Sequence, residues 1–151
     1  GADLCTLRTS ALALCYTTAE VCSPVWERSA HASKVDAELN ESCQLIAGLL
    51  KPTPLPQLYR LAGIAPPHIR RQCQSKIQKH LQETDDRHPL YNHQEVERCL
   101  QSRKSFMTVE SLQPKEAQKY RIERWKAYYH PLPEAILWLS ARRANVQKLR
   151  N

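Results

Sequence analysis

The apolar positions of this chain recur mainly at three- and four-residue steps, the spacing of one face of an α-helix. Leu4, Leu7, Ala11, Leu14 and Thr18 form one such row, and Leu12, Cys15, Ala19 and Cys22 a second beside it. The two rows predict a first helix over about residues 4–22, capped by Asp3 and stopped by Pro24. Its apolar arc is wide, so the helix is expected to sit centrally in the fold. Residues 23–32 read as a connector, with Trp26 expected to anchor against that helix. A second helix is predicted over about 33–50, with Val35, Leu39, Cys43, Ile46 and Leu50 on one stripe. Lys34, Asp36, Glu38 and Glu41 cover its other face. Lys51-Pro52 ends it, and Pro52, Pro54 and Pro56 make a stiff turn.

The pattern then gives a short helix over about 55–62, with Gly63 in the left-handed position past its end and Ile64 folding back. Pro66 and Pro67 open a helix over about 67–83. There Ile69, Cys73, Ile77 and Leu81 share one side, with Arg70, Arg71, Lys76, Lys79 and His80 around the rest. Residues 84–93 are polar and broken by Pro89. Further helices are predicted over about 94–103, 114–129 and 133–149. The only strand-like stretch is Ser105 to Val109. The expected fold is all-α, an irregular bundle of about five to seven helices. Residues 1–83 form the compact part, and residues 84–151 a looser basic extension.

Composition agrees with helices: the chain has 151 residues with only 3 glycines, and glycine-poor, Leu- and Lys-rich chains favour them. Charge divides it. Residues 1–67 carry five basic and six acidic side chains, a net of −1, whereas residues 68–151 carry seventeen and nine, a net of +8. Leu, Ile, Val and Phe number 16 in each part, so the longer second part is the poorer in core formers. A basic half points to a polyanion partner or to a solvated face. The chain starts at Gly1 and its only methionine is Met107, which suits an excerpt. No apolar run is long enough for a membrane span, and Ala11 to Tyr16 is too short for a targeting segment, so an intracellular location is expected. The six cysteines, Cys5, Cys15, Cys22, Cys43, Cys73 and Cys99, show no CxxC spacing and read as mostly buried thiols.

Three blocks carry a resemblance: LRTSALALCYTTAEVCSPVW at 7–26, VDAELNESCQLIAGLLKPTP at 35–54 and LAGIAPPHIRR at 61–71. In order and spacing they resemble the region after the palm of jockey-like non-LTR retrotransposon (LINE-type) reverse transcriptases. Val21 departs from the aromatic that often follows the Ala-Glu pair there. The resemblance implies a thumb-like bundle that grips an RNA/DNA template–primer without reading its sequence, beside a palm that this chain lacks. The palm of such an RNA-directed DNA polymerase holds the catalytic carboxylates and divalent metal, usually magnesium.

The residues themselves supply no catalytic set. Asp85-Asp86 is the one adjacent aspartate pair, but no strands flank it and it reads as a solvated turn. His80, His88, His93 and Cys99 match no structural zinc spacing. The candidate nucleic-acid contacts are Arg70, Arg71, Lys76 and Lys79 on one helix and Arg121, Arg124 and Lys126 on another. Tyr120, Trp125, Tyr128 and Tyr129 alternate with the latter, either to stack on bases or to pack. The reading is therefore a non-catalytic fragment of a polymerase, with an element-derived protein-interaction domain as the alternative.

Overall fold

The computed structural model describes residues 1–94 and 106–128. The predicted helices over 94–103 and 133–149 lie almost wholly or wholly outside these residues, as do Cys99 and Tyr129. Among the described residues the fold is all-helical, as the spacing predicts. The helices are α1 (Leu4–Ala11), α2 (Thr17–Ala19), α3 (Ser23–Trp26), α4 (Ala32–Ala47), α5 (Leu55–Ala62), α6 (Pro67–Thr84) and α7 (Ala117–Tyr128). The strand-like stretch is instead a 3-10 turn over Phe106–Thr108.

Asp3 caps α1 as expected, its Oδ1 accepting from the Thr6 amide at 3.0 Å. The predicted first helix then departs from regularity. Leu12–Tyr16 is a π-helical turn. The Thr17 amide donates to the Leu12 carbonyl, and the Thr17 hydroxyl bonds the carbonyls of Leu12, at 2.9 Å, and Ala13. A hydroxyl inserted into the ladder loosens an α-turn in this way. Three- and four-residue rows therefore do not run through it. Of this helical stretch only Tyr16 is buried, while Leu4, Leu7 and Leu14 are 50, 39 and 70 % exposed. The first helix is thus peripheral, not central. It ends at Ala19, and after a short turn the left-handed backbone of Cys22 (φ 53°) leads the chain into α3. Trp26 bonds the Val21 carbonyl through Nε1 at 2.9 Å and lies against the Arg71 guanidinium, and α3 packs chiefly on α6.

α4 and α5 pack together and hold most of the core. Leu39, Cys43 and Ile46 of α4 meet Leu58, Tyr59 and Ala62 of α5, with Tyr16 and Ile64 closing the cluster. α4 stops earlier than its apolar spacing predicts. Gly48 takes a left-handed conformation (φ 63°) and ends it, leaving Leu50 79 % exposed in the turn beyond. α5 ends as read: Gly63 is left-handed (φ 67°) and Ile64 folds back to 2 % exposure, its amide reaching the Tyr59 carbonyl. A Cβ on Gly63 would be strained by that φ and would also meet the Arg8 guanidinium at 2.9 Å.

α6 starts on Pro67, which needs no amide partner in the first turn. It touches α3, α4, the Phe106–Thr108 turn and α7. Residues 106–128, assigned by sequence to a separate extension, lie along it. The Leu112 amide donates to the Lys76 carbonyl at 3.1 Å, the Cys73 thiol to the Ala117 carbonyl at 3.7 Å, and Trp125 packs against the core cluster. Asp85-Asp86 is a turn: Asp85 accepts from the Arg87 amide at 3.0 Å, which holds its carboxyl below the usual range.

Candidate nucleic-acid interface

Consecutive residues on an α-helix point about 100° apart. Arg70 and Arg71 therefore leave α6 in two directions, and each meets an acid on a different segment. Arg70 forks onto Glu20, Nη2 to Oε2 at 2.9 Å, with its guanidinium 5.1 Å from the Tyr16 ring centre. Arg71 forks onto Asp36 of α4, Nη2 to Oδ2 at 3.1 Å, and lies 5.4 Å from the Trp26 ring centre. Lys76 bonds Glu110 at 3.0 Å and faces the Tyr120 ring at 5.4 Å. Lys79 reaches Glu83 at 3.3 Å and Gln82 at 3.1 Å. The four side chains keep only 16, 5, 15 and 17 % exposure.

These cations do not form the outward basic row that the spacing suggested. The reason is that α6 is covered on several sides, so its charged residues meet neighbours before solvent. Arg70 and Arg71 are structural clamps, and phosphate contact by either would first require breaking its ion pair. Behind Arg71 runs a polar row of residues outside the candidate set. Ser75 donates to Glu27 at 2.5 Å, Gln78 meets His88 Nε2 at 2.6 Å, and Gln82 donates to the Leu90 carbonyl at 2.9 Å. His88 Nδ1 in turn accepts the Leu90 amide at 3.1 Å. The steps 71, 75, 78, 82 are helical, so the row was visible as a pattern. Its burial was not, because the partners lie up to 48 residues away.

The other three candidates sit on α7. Arg121 is half-buried near Cys73, Arg124 is exposed over the Tyr120 ring at 5.7 Å, and Lys126 is exposed. Lys115 and Lys119, outside the candidate set, are also exposed. Lys119, with one loose contact to Glu123 at 4.0 Å, and Lys126 are seven residues apart and share a face. Of the aromatics, Trp125 is committed to packing and Tyr120 lies between Lys76 and Arg124. Among the described residues no group of three or more His, Cys, Asp or Glu converges as a metal site would require. Nor is any helix among them long and apolar enough to cross a membrane.

Of the cysteines, Cys43 and Cys73 are buried free thiols, whereas Cys5, Cys15 and Cys22 are exposed, against expectation. Burial pushes the Tyr16 hydroxyl and the Cys43 and Cys73 thiols above their ordinary ranges. Burial also lowers His68, with nearby Arg71 adding to the effect and Asp36 opposing it. Folding therefore favours the neutral form of all four groups. The unfolded chain protonates His68 below about pH 6.5 and ionises its thiols above about pH 8.5. Stability is expected to peak between these limits and fall on both sides. Urea midpoints measured from pH 5 to 10 check this; a midpoint still climbing at the alkaline end would contradict it.

Comparison of the chain with family models, with curated proteins and with solved structures finds no match.

Proposed function

We propose that this chain is a non-catalytic helical module of a non-LTR reverse transcriptase and helps to hold an RNA/DNA duplex. What carries the reading beyond the sequence resemblance is α7 with its leading turn, where Lys115, Lys119, Arg124 and Lys126 are all exposed. Exposed cations on a helix can neutralise phosphates without reading bases. Chemistry would belong to the palm of the parent polymerase, with its carboxylates and metal. The contact surface in this reading is α7, supported by α6 from behind.

The test is a titration with an RNA–DNA hybrid at two salt concentrations. Four phosphate contacts imply that affinity falls roughly 100-fold between 50 and 200 mM salt. Changing Lys115, Lys119, Arg124 and Lys126 together to Gln should flatten that dependence, while Lys34→Gln on α4 should not. Binding indifferent to salt would sink the reading. The second reading, a protein-interaction domain, is favoured by one observation: the exposed Leu4, Leu7 and Leu14 of the first helical stretch. Large apolar side chains left in solvent become buried where a partner covers them. Concentration-dependent association that ignores the α7 changes would support it.

A further inference from the structure

Where α6 and α7 meet, cations from both helices gather at one aromatic ring. Lys76 of α6 lies 5.4 Å from the centre of the Tyr120 ring, and Arg124 of α7 lies 5.7 Å from the same centre. The negative face of the ring attracts both charges. Packing fixes this seam: the Cys73 thiol, one turn before Lys76, bonds the Ala117 carbonyl at 3.7 Å. Ala117, Tyr120, Arg121 and Arg124 follow at steps of three and four, so they share one side of α7. Against the burial that raises the Cys73 thiol, Arg121, Arg70 and Lys76 act in the opposite sense, which puts Arg121 toward the same seam. Residues 109–113 run beside Lys76 without helical structure, held by the Leu112 amide on the Lys76 carbonyl at 3.1 Å. From this strap Glu110 reaches Lys76 Nζ at 3.0 Å. The two partners differ in setting: the Lys76 side chain is 15 % exposed and that of Glu110 91 %. The acids held by Arg70 and Arg71 are far less exposed. Glu110 can therefore leave its cation with its hydration nearly complete already, and a pair of this kind contributes little to stability.

We propose that the Lys76–Tyr120–Arg124 seam is a phosphate-binding site that Glu110 fills in the free protein. Glu110 holds a charged oxygen where a phosphate oxygen would bond the same ammonium. Neighbouring phosphates of one strand let Lys76 and Arg124 each take an oxygen at the seam, a gain that the single carboxylate of Glu110 cannot match. Glu110 is then an internal competitor that weakens the contact until a polyphosphate chain displaces it. The inference rests on the reading of α7 as a duplex contact, and it brings α6 into that contact through Lys76.

The experiment titrates the full chain with the RNA–DNA hybrid at the same two salt concentrations. Glu110→Gln should tighten binding about threefold at the lower salt, the value of an exposed ion pair. In a Lys76→Gln chain the same change should do no more than Glu41→Gln, an equal change in net charge on α4. Lys76→Gln should weaken binding by the Glu110→Gln chain about tenfold and lower its salt slope by about one. In the unaltered chain the Tyr120 ring resonances should shift as ligand binds, a readout that needs no variant to fold. Equal gains from Glu110→Gln with and without Lys76 would overturn the proposal, as would a Tyr120 ring unmoved at saturation. Inorganic tripolyphosphate in place of the hybrid separates this inference from the α7 reading. Hybrid binding indifferent to salt, with tripolyphosphate shifting Tyr120 more strongly in Glu110→Gln, would sink the α7 reading and leave a site for free phosphate. Salt-sensitive hybrid binding without coupling between Glu110 and Lys76 would sink this inference alone.

Discussion

Replacing Tyr16 with Ala is expected to lower the unfolding free energy by about 4 kcal/mol, and replacing it with Phe by only about 1 kcal/mol. Tyr16 is the one fully buried residue of the first helical stretch, with Ala11, Leu12 and Ala19 packed partly buried against the same core. Alanine would leave a ring-sized cavity among Leu39, Cys43, Leu58 and Tyr59, all held rigidly by the α4–α5 pair. It would also remove the ring beneath the Arg70 guanidinium. Phenylalanine keeps the ring and deletes only the hydroxyl, which lies 3.0 Å from the Cys43 thiol. That change leaves one weak polar group unpaired. Urea denaturation of both variants checks the contrast. Equal losses would mean that the hydroxyl–thiol contact, and not the packing, holds the first helix to the core.

Arg71→Gln is expected to cost about 3 kcal/mol, the lower end for breaking a buried ion pair. The Arg71 side chain keeps 5 % exposure and that of Asp36 26 %, so the abandoned carboxylate could recover part of its hydration. Arg71→Lys should recover little, because an ammonium cannot reproduce the fork on Asp36 or the contact with the Trp26 ring. The pair Lys51–Glu41 provides an internal comparison. Its side chains are 82 and 56 % exposed, and breaking it should cost about 0.5 kcal/mol or less. A double-mutant cycle on Arg71 and Asp36 measures the coupling directly. A value no larger than the surface pair's would contradict the assignment of Arg71 as a clamp. This outcome also bears on function: Arg71 variants that lose nucleic-acid binding would do so by losing the fold.

The parts of the fold legible in the sequence are those set by local chemistry. Gly63 and Ile64 end α5 as read, because one left-handed residue and one apolar residue suffice to specify that turn. Pro67 marks the start of α6, since proline fits a helix only where no amide is needed. The misreadings arose where two local signals competed. Leu50 continued the stripe of α4, but Gly48 two residues earlier ended the helix. The row Leu4, Leu7, Leu14 looked like a core face because counting assumed an unbroken α-helix through Leu12–Tyr16.

The candidate site was legible in composition and obscured in direction. The basic charge of residues 68–151 was plain, yet which cations face outward depends on carboxylates distant in sequence. Glu20 lies 50 residues from Arg70, and Asp36 lies 35 from Arg71. No helical periodicity encodes those meetings. On α7 the candidates divide: Arg124 and Lys126 are exposed, whereas Arg121 is half-buried near Cys73.

The π-helical turn has a consequence for how this segment can vary. An extra residue in a helix turns everything before it by about 100° and displaces it by about 1.5 Å relative to everything after it. Leu12–Tyr16 absorbs such a slip within one turn, so α1 and the Tyr16 side of the helix are set in phase independently. Loss of one residue there would leave Tyr16 seated against Cys43 and rotate α1 alone. The solvent-facing leucines would thus be re-aimed by a change in length, and Ala11 would leave its place against the core.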